Sequence, residues 1–456
     1  MIWASMRAIR GELKPMLALS GPVILAELGW VAMALVDTFI VGRLGPEAIG
    51  AVGIGSSLFM ALAIFGMGLL LGLDTLVSHA YGAGRLDECH LWLLHGLWLS
   101  ALVAPPLLLA LTAGTEWLHV WGFPREVLQL AVPYLRILNW SLLPLLVYAS
   151  CRRYLQAMGI VAPVTFALIS ANLINAAFNW LLVFGHLGLP ALGTTGSAWA
   201  TLLSRIYMAA VLVMTIVYLE ATRRLGLARV RWAVEWSRLR ALVKLGFPAA
   251  AQVTLELGVF SAATALAGRL DAISLAAHQI VLNLASLTFM MPLGMSSAAA
   301  VRVGHAVGRQ DREAAIRAGS TALGLGVLFM ALASLVFLMY PVPLLRSFTS
   351  DARVVGTGVS LLVVAAAFQP FDGLQGVATG VLRGIGDTRT PMLTNLGAHW
   401  LCGLPLGYVL CFVWGRGVIG LWVGLASGLT LLGIVLLAVC VRRAGPAPSV
   451  ASSSGR

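Results

Sequence analysis

The chain has 456 residues, of which 59% are hydrophobic and 11% charged, with a formal net charge of +12. Soluble domains carry about a quarter charged residues, so the composition excludes an ordinary soluble fold and predicts a polytopic, all-α membrane protein. The positive charge does not point to nucleic acid, because Lys and Arg lie between apolar runs, where the positive-inside rule puts them. The five cysteines (Cys89, Cys151, Cys402, Cys411 and Cys440) contain no CxxC pair and suggest neither a disulfide framework nor a zinc site.

The start, MIWASMRAIRGELKP, is basic and runs straight into a long apolar segment, which reads as a cytoplasmic tail and first span and not as a cleaved signal peptide. A helix needs about 20 apolar residues to cross a bilayer. By that rule the chain holds twelve spans. Those of the first half are roughly 15–42, 52–78, 91–113, 127–151, 162–185 and 195–220. Those of the second are roughly 244–268, 275–301, 318–340, 357–382, 391–413 and 417–441. The expected units are therefore an N-lobe over 1–220, a linker over 221–243, a C-lobe over 244–441 and a disordered cytoplasmic tail over 442–456. The linker arginines with Trp232 and Trp236 suit an amphipathic helix lying on the membrane surface. With the amino terminus in the cytoplasm, the cytoplasmic loops and tails hold 22 of the 30 basic residues and the opposite loops six, while Arg136 and Arg205 lie within spans. That split puts both termini and the linker in the cytoplasm.

The segment Pro22–Gly82 returns 226 positions later as Pro248–Gly308: Gly42-Arg43-Leu44 falls on Gly268-Arg269-Leu270, His79-Ala80 on His305-Ala306, and Gly82 on Gly308. Each half has an even number of spans, so both enter from the same side. The halves are then parallel six-helix repeats about an axis along the membrane normal, predicted to form a V-shaped, two-lobed transporter with its substrate cleft between them. The copies differ in their acids. Asp37 meets Ala263, and Glu256 meets Trp30.

Five acids lie in apolar context: Glu27, Asp37, Asp74, Glu256 and Asp372. A charge at the bilayer centre costs at least about 3 kcal/mol, so such residues are functional by default. Asn172, Asn175 and Asn179 share a face of span 5, and Thr201 lies on span 6. Around Asp37 they could hold a carboxyl in either protonation state, or serve as interhelical polar glue. In the second half Glu256 is central in span 7 and Asp372 in span 10. Two carboxylates in one dry cavity want a proton or a cation between them, and oxygen ligands suit a hard ion such as Na⁺. Gln279 and Asn283 on span 8 are candidate pocket neighbours, as is Phe368, one turn before Asp372, either by its aromatic face or merely by packing. Glu27 is read as cleft-lining or snorkelling, and Asp74 as a cap or a partner for loop arginines. Glycines throughout, with Pro22, Pro248, Pro370 and Pro405 at or within spans, fit close packing and bends.

These motifs resemble one family. VDTFIVGRLGPEAIGAVG from Val36, LDTLVSHAYGAG from Leu73, SAAAVRVGHAVGR from Ser297, VLRGIGDTRTP from Val381 and GLPLGYVL from Gly403 are together similar to the multidrug and toxic compound extrusion (MATE) family, in its NorM-type branch, over about residues 12–441. The resemblance implies a twelve-helix antiporter of the bacterial inner membrane. It would act as a monomer and expel organic cations or amphipathic drugs in exchange for Na⁺ or H⁺, with no cofactor beyond that ion. It implies that Asp37 is the family's N-lobe acid, with Asn175, Asn179 and Thr201 around it, and that Glu256 and Asp372 are the C-lobe cation-site acids. Phe368 stands where a tyrosine is common, His79 where glutamine is usual, and Glu27 where an uncharged residue is expected. The alternative is a flippase for lipid-linked oligosaccharide or peptidoglycan precursor. That would want a cleft lined by arginines, and few are embedded here. An enzyme would want a motif such as HExxH, and a channel a selectivity filter; neither occurs in the sequence.

Overall fold

A computed structural model describes residues 2–223, 226, 227, 230 and 232–444, with side chains from Gly11 onward. The described residues are helical almost throughout and contain no strand. Eleven helices are long and apolar enough to cross a membrane: Gly11–Leu44, Pro46–Gly82, Leu86–Trp121, Ala162–Phe184, Thr194–Arg223, Trp236–Ala267, Ala272–Gly308, Arg312–Met339, Ala352–Ile385, Arg389–Val413 and Gly417–Ala444. A twelfth span is the pair Arg125–Asn139 and Leu142–Ala157, bent by 46°. Numbered in chain order, with the bent pair as span 4, they match the twelve sequence-derived spans. Most are longer, because a helix does not stop where hydrophobicity does: charged residues continue it beyond the bilayer. Arg152, Arg153, Arg302 and Arg383, expected in loops, are helical residues of spans 4, 8 and 10. Arg136, expected inside a span, is exposed and pairs with Glu116 at 2.8 Å.

The linker does not form a separate surface helix over its described residues. Residues 221–223 complete span 6, Trp232–Glu235 are irregular, and helix resumes at Trp236 and runs unbroken into span 7. The Glu235 amide donates to His95 Nε2 at 3.0 Å, which pins the turn against span 3. Trp232 and Trp236 are exposed, as expected of residues at the membrane surface. Of the tail, Arg442–Ala444 extend span 12, and 445–456 lie outside the described residues.

Where spans begin, aspartates satisfy orphan amides. Asp271 accepts from the Ser274 amide (2.8 Å) at span 8, and Asp311 from the Ala314 amide (2.9 Å) at span 9. Asp351 accepts from the Arg353 amide (2.8 Å) at span 10; the Arg353 side chain first, and then that amide bond, hold its carboxyl below the usual carboxylate range. In span 11, Pro405 lacks an amide hydrogen, and wide π-helical turns flank it at Leu396–Gly403 and Val409–Val413.

The lobes meet through pairs that obey the sequence repeat. A Cβ at Gly68 would lie 2.5 Å from Ala250 Cα, and one at Gly294 would lie 2.5 Å from Ile24 Cγ1. The 226-residue shift carries Gly68 to Gly294 and Ile24 to Ala250, so these are one contact made twice. Likewise a Cβ at Gly82 would lie 2.3 Å from the His305 carbonyl oxygen, and one at Gly308 2.3 Å from that of His79. His79 Nε2 hydrogen-bonds the Gly384 carbonyl at 2.7 Å, while His305 Nε2 hydrogen-bonds the Ala157 carbonyl at 2.6 Å. This reciprocity is what a two-fold axis along the membrane normal demands. All of these contacts sit toward the end of the bundle that carries the basic loops.

Gly246 is the tightest of these contacts, its missing Cβ falling 1.9 Å from the Leu69 carbonyl oxygen. Gly246→Ala is expected to wedge spans 2 and 7 apart and lower stability by about 1–3 kcal/mol, the usual cost of overpacking. Thermal unfolding in detergent measures it; an unchanged midpoint would show that the lobes do not bear on one another there.

Candidate functional site

In the N-lobe, span 1 presents Asp37 to spans 5 and 6. Asn179 Nδ2 donates to Asp37 Oδ1 at 2.7 Å, and Thr201 Oγ1 donates to Oδ2 at 3.2 Å. The same Asn179 nitrogen lies 3.0 Å from the Asn175 carbonyl oxygen and 3.2 Å from Asn175 Oδ1. Asn175 and Asn179 are fully buried, one turn apart on one helical face. Asn172, on the same face, instead donates to the Gly29 carbonyl at 3.1 Å and helps bind span 5 to span 1. One turn beyond Thr201, the buried Arg205 donates to Ser141 Oγ at 2.5 Å, and its guanidinium carbon lies 4.4 Å from the Phe59 ring centroid.

In the C-lobe, one amide joins two carboxylates. Gln375 Nε2 lies 3.2 Å from Glu256 Oε1 and 3.1 Å from Asp372 Oδ1, so its two hydrogens are shared between them. Gln375 stands three residues after Asp372 on the same face of span 10. It is the principal site residue that the sequence reading missed; a polar residue at i+3 from a buried acid was the available signal. The arrangement concentrates negative charge beside oxygen ligands. With one donor between them, two ionised carboxylates repel and favour a shared proton or a bound hard cation.

Gln279 and Asn283 make no hydrogen bond to Glu256, Asp372 or Gln375 among the described residues. Both are exposed on span 8, while their neighbour His278 points inward, accepting from Trp422 Nε1 at 3.0 Å and meeting Thr264 Oγ1 at 2.9 Å. Phe368 is buried and stacks on Trp422, centroids 6.1 Å apart, so packing is its observed role. Among the described residues no group of three or more His, Cys, Asp or Glu is placed to hold a metal ion.

The two remaining acids hold the closed end. Glu27 pairs with Arg152, both almost fully buried, which joins span 1 to span 4 within the N-lobe. Asp74 Oδ2 lies 3.3 Å from Arg153 Nη1 and 3.3 Å from Arg383 Nε, the second contact crossing between lobes without hydrogen-bond alignment. Thr75 Oγ1 donates to the Arg383 carbonyl at 2.5 Å, and Arg302 grips Glu12 with two hydrogen bonds of 2.7 and 2.8 Å. Arg152, Arg153, Arg302 and Arg383 are thus matched to acids.

The chain matches the MatE family twice, over residues 22–181 and again over 248–409. The chain belongs to the MATE family. The two MATE matches repeat the internal register and divide the protein as the lobes do. Among curated relatives, the probable multidrug resistance protein NorM of Mesorhizobium japonicum is 38% identical over 449 residues, covering 97% of this chain and 96% of that protein. Multidrug resistance protein NorM of Burkholderia vietnamiensis is 36% identical over 429 residues, covering 92% and 91%. Among solved structures, the eukaryotic MATE transporter AtDTX14 superposes with a TM-score of 0.86 at 23% identity, over 96% of this chain and 99% of that one. A structure described as the outward-facing conformation of a MATE transporter of the MOP superfamily gives 0.83 at 19% identity, over 96% and 97%. The MATE fold, with twelve spans in two repeats, is that of a multi-pass membrane protein.

Proposed function

We propose that this MATE protein is a multidrug efflux antiporter of the bacterial inner membrane, which exports organic cations or amphipathic drugs in exchange for Na⁺ or H⁺. The observation that carries the reading is the Glu256–Gln375–Asp372 triad, where two carboxylates share a single amide donor. Such a site gains most from taking up a proton or a small cation. In an alternating-access protein, an ion bound there drives transport only by favouring one cleft orientation over the other. The names of the NorM relatives support drugs as cargo. The basic residues support cytoplasmic termini, because Lys and Arg concentrate in the loops and tails on the cytoplasmic side of a membrane protein. The flippase reading finds less support: Arg152, Arg153 and Arg383 are matched to Glu27 and Asp74 and do not form a phosphate cradle.

The test is uptake and efflux of a fluorescent organic cation by proteoliposomes under separate Na⁺ and pH gradients. One gradient should drive transport of the dye; if neither does, the antiport reading is wrong. Asp37 is assigned the N-lobe proton site, held by Asn179 and Thr201. Asp37→Asn should fold and insert normally, since it replaces one oxygen by a nitrogen of nearly the same size, yet lose most gradient-driven efflux. Full efflux by this variant, at matched protein amounts, would remove Asp37 from the coupling machinery.

A further inference from the structure

Span 7 opens with one exposed face. Trp236, Arg240, Val243, Lys244 and Phe247 recur at helical spacing on one side, and all five are exposed. The inward side carries Leu239, Leu242 and Gly246, the last against Leu69 of span 2. The order along the face has a meaning in a bilayer. At about 1.5 Å per residue, Phe247 lies about 16 Å beyond Trp236. An aromatic suited to the membrane interface comes first, two cations follow, and an apolar ring lies deepest. The edge of that ring meets Phe65 of span 2, centroids 6.1 Å apart. Helical side chains lean toward the helix N-terminus, so both cations reach back toward the headgroups. Span 11 adds a third cation. It runs beside span 7 in the same direction, and Trp400 Nε1 donates to the Leu255 carbonyl at 3.0 Å. Counting back the same number of residues from that bond leads to Lys244 on one helix and Arg389 on the other, at about the same depth. Arg389 is exposed, as is Leu393 one turn deeper. Among the described residues no acid answers these charges: the side chains of Arg240, Lys244 and Arg389 make no ion pair or hydrogen bond, while Glu235 is engaged with Arg238 and Asp387 with Arg443. The repeat supplies a contrast. The 226-residue shift carries Arg240 onto Lys14, Lys244 onto Ala18 and Phe247 onto Gly21, so the matching face of span 1 has one cation and no aromatic at these positions.

We propose that this face binds one anionic phospholipid of the leaflet at the basic loops, its phosphate held by Arg240, Lys244 and Arg389 and an acyl chain lying over Phe247 and Leu393. Charge selects the headgroup. A phosphodiester without its own cation supplies the negative charge that three unpaired cations lack, whereas a zwitterionic lipid brings an ammonium with it. Depth selects a lipid over a soluble phosphate, because apolar surface lies directly below the charges. Phe247 also touches span 2 at the seam between the lobes. A seated lipid therefore stabilises the packed seam in proportion to its occupancy.

The experiment is native mass spectrometry of the full chain in detergent, titrated with phosphatidylglycerol or with phosphatidylcholine. Phosphatidylglycerol should leave one retained lipid at concentrations where phosphatidylcholine leaves none. A basic residue at a membrane surface is worth about fivefold in affinity for anionic lipid, so Arg240→Gln combined with Lys244→Gln should weaken phosphatidylglycerol binding by about 25-fold. Lys14→Gln, the same change at the repeat-related position, should leave it unaltered. Phosphatidylglycerol should also raise the thermal midpoint of the wild type and not that of the double variant. If the double variant is itself unstable without lipid, Arg389→Gln on the other span carries the test, with an expected loss of about fivefold. Equal retention of the two lipids by the wild type overturns the proposal, as does undiminished phosphatidylglycerol affinity in the variants. An equal loss in Lys14→Gln would make the effect one of overall charge and overturn it too. Displacement of the lipid by soluble glycerol phosphate would make this a phosphate site without lipid selectivity, which is the remaining way for the proposal to fail.

Discussion

Glu256→Gln and Asp372→Asn are each expected to reduce gradient-driven efflux to the level of protein-free vesicles, while the protein still folds and inserts. Both substitutions keep side-chain shape, and both leave an amide that can still meet Gln375. What they remove is the second negative charge. A pair that shares one donor titrates as a unit, so its proton or cation affinity belongs to both residues together. Either change alone should therefore be as damaging as the two combined, and the double variant should show no further loss. Dye efflux at matched protein amounts, with wild type and both single variants side by side, makes the comparison. Full gradient-dependent transport by both single variants would separate the C-lobe pair from coupling.

Glu27→Gln is expected to be the most destabilising of the conservative changes. Glu27 and Arg152 are both nearly inaccessible and meet each other directly. Truncating one member of a buried pair strands the other as an uncompensated charge, at a cost of about 3–5 kcal/mol. Replacing both by apolar residues of similar size, as in Glu27→Met with Arg152→Met, should recover most of that loss, because no charge then remains buried. Thermal unfolding in detergent, read by intrinsic tryptophan fluorescence, orders the variants. If Glu27→Gln melts with the wild type, the pair does not support the fold. If the double variant is worse than the single one, the pair contributes beyond charge compensation.

Much of this was legible in the sequence, for identifiable reasons. The spans and the repeat are one-dimensional signals: apolar length sets the first, and the gap-free shift from Pro22 to Pro248 sets the second. Asp37, Glu256 and Asp372 stood out because acids are rare in apolar runs. Asn179 followed from helical periodicity and Thr201 from its place on span 6, and the structure brings both to Asp37. Pairings between distant positions were not legible. Glu27 and Arg152 are 125 residues apart, and each alone reads as an anomaly or a loop charge. Gln375 was passed over because an amide in a long span carries little weight until its two carboxylate partners are known.

The paired histidines give the closed end a property that neither has alone. His79 and His305 each reach a carbonyl of the opposite lobe, and the two bonds are images under the same rotation. A rigid-body rocking of one lobe cannot stretch the first without stretching the second, and it uncovers Asp74, Arg153 and Arg383 in the same movement. The lobes should therefore part in one concerted event, with few populated half-open states. If an ion drives that event, carrying the population from 1:99 to 99:1 requires it to discriminate between the two orientations by about 5.5 kcal/mol.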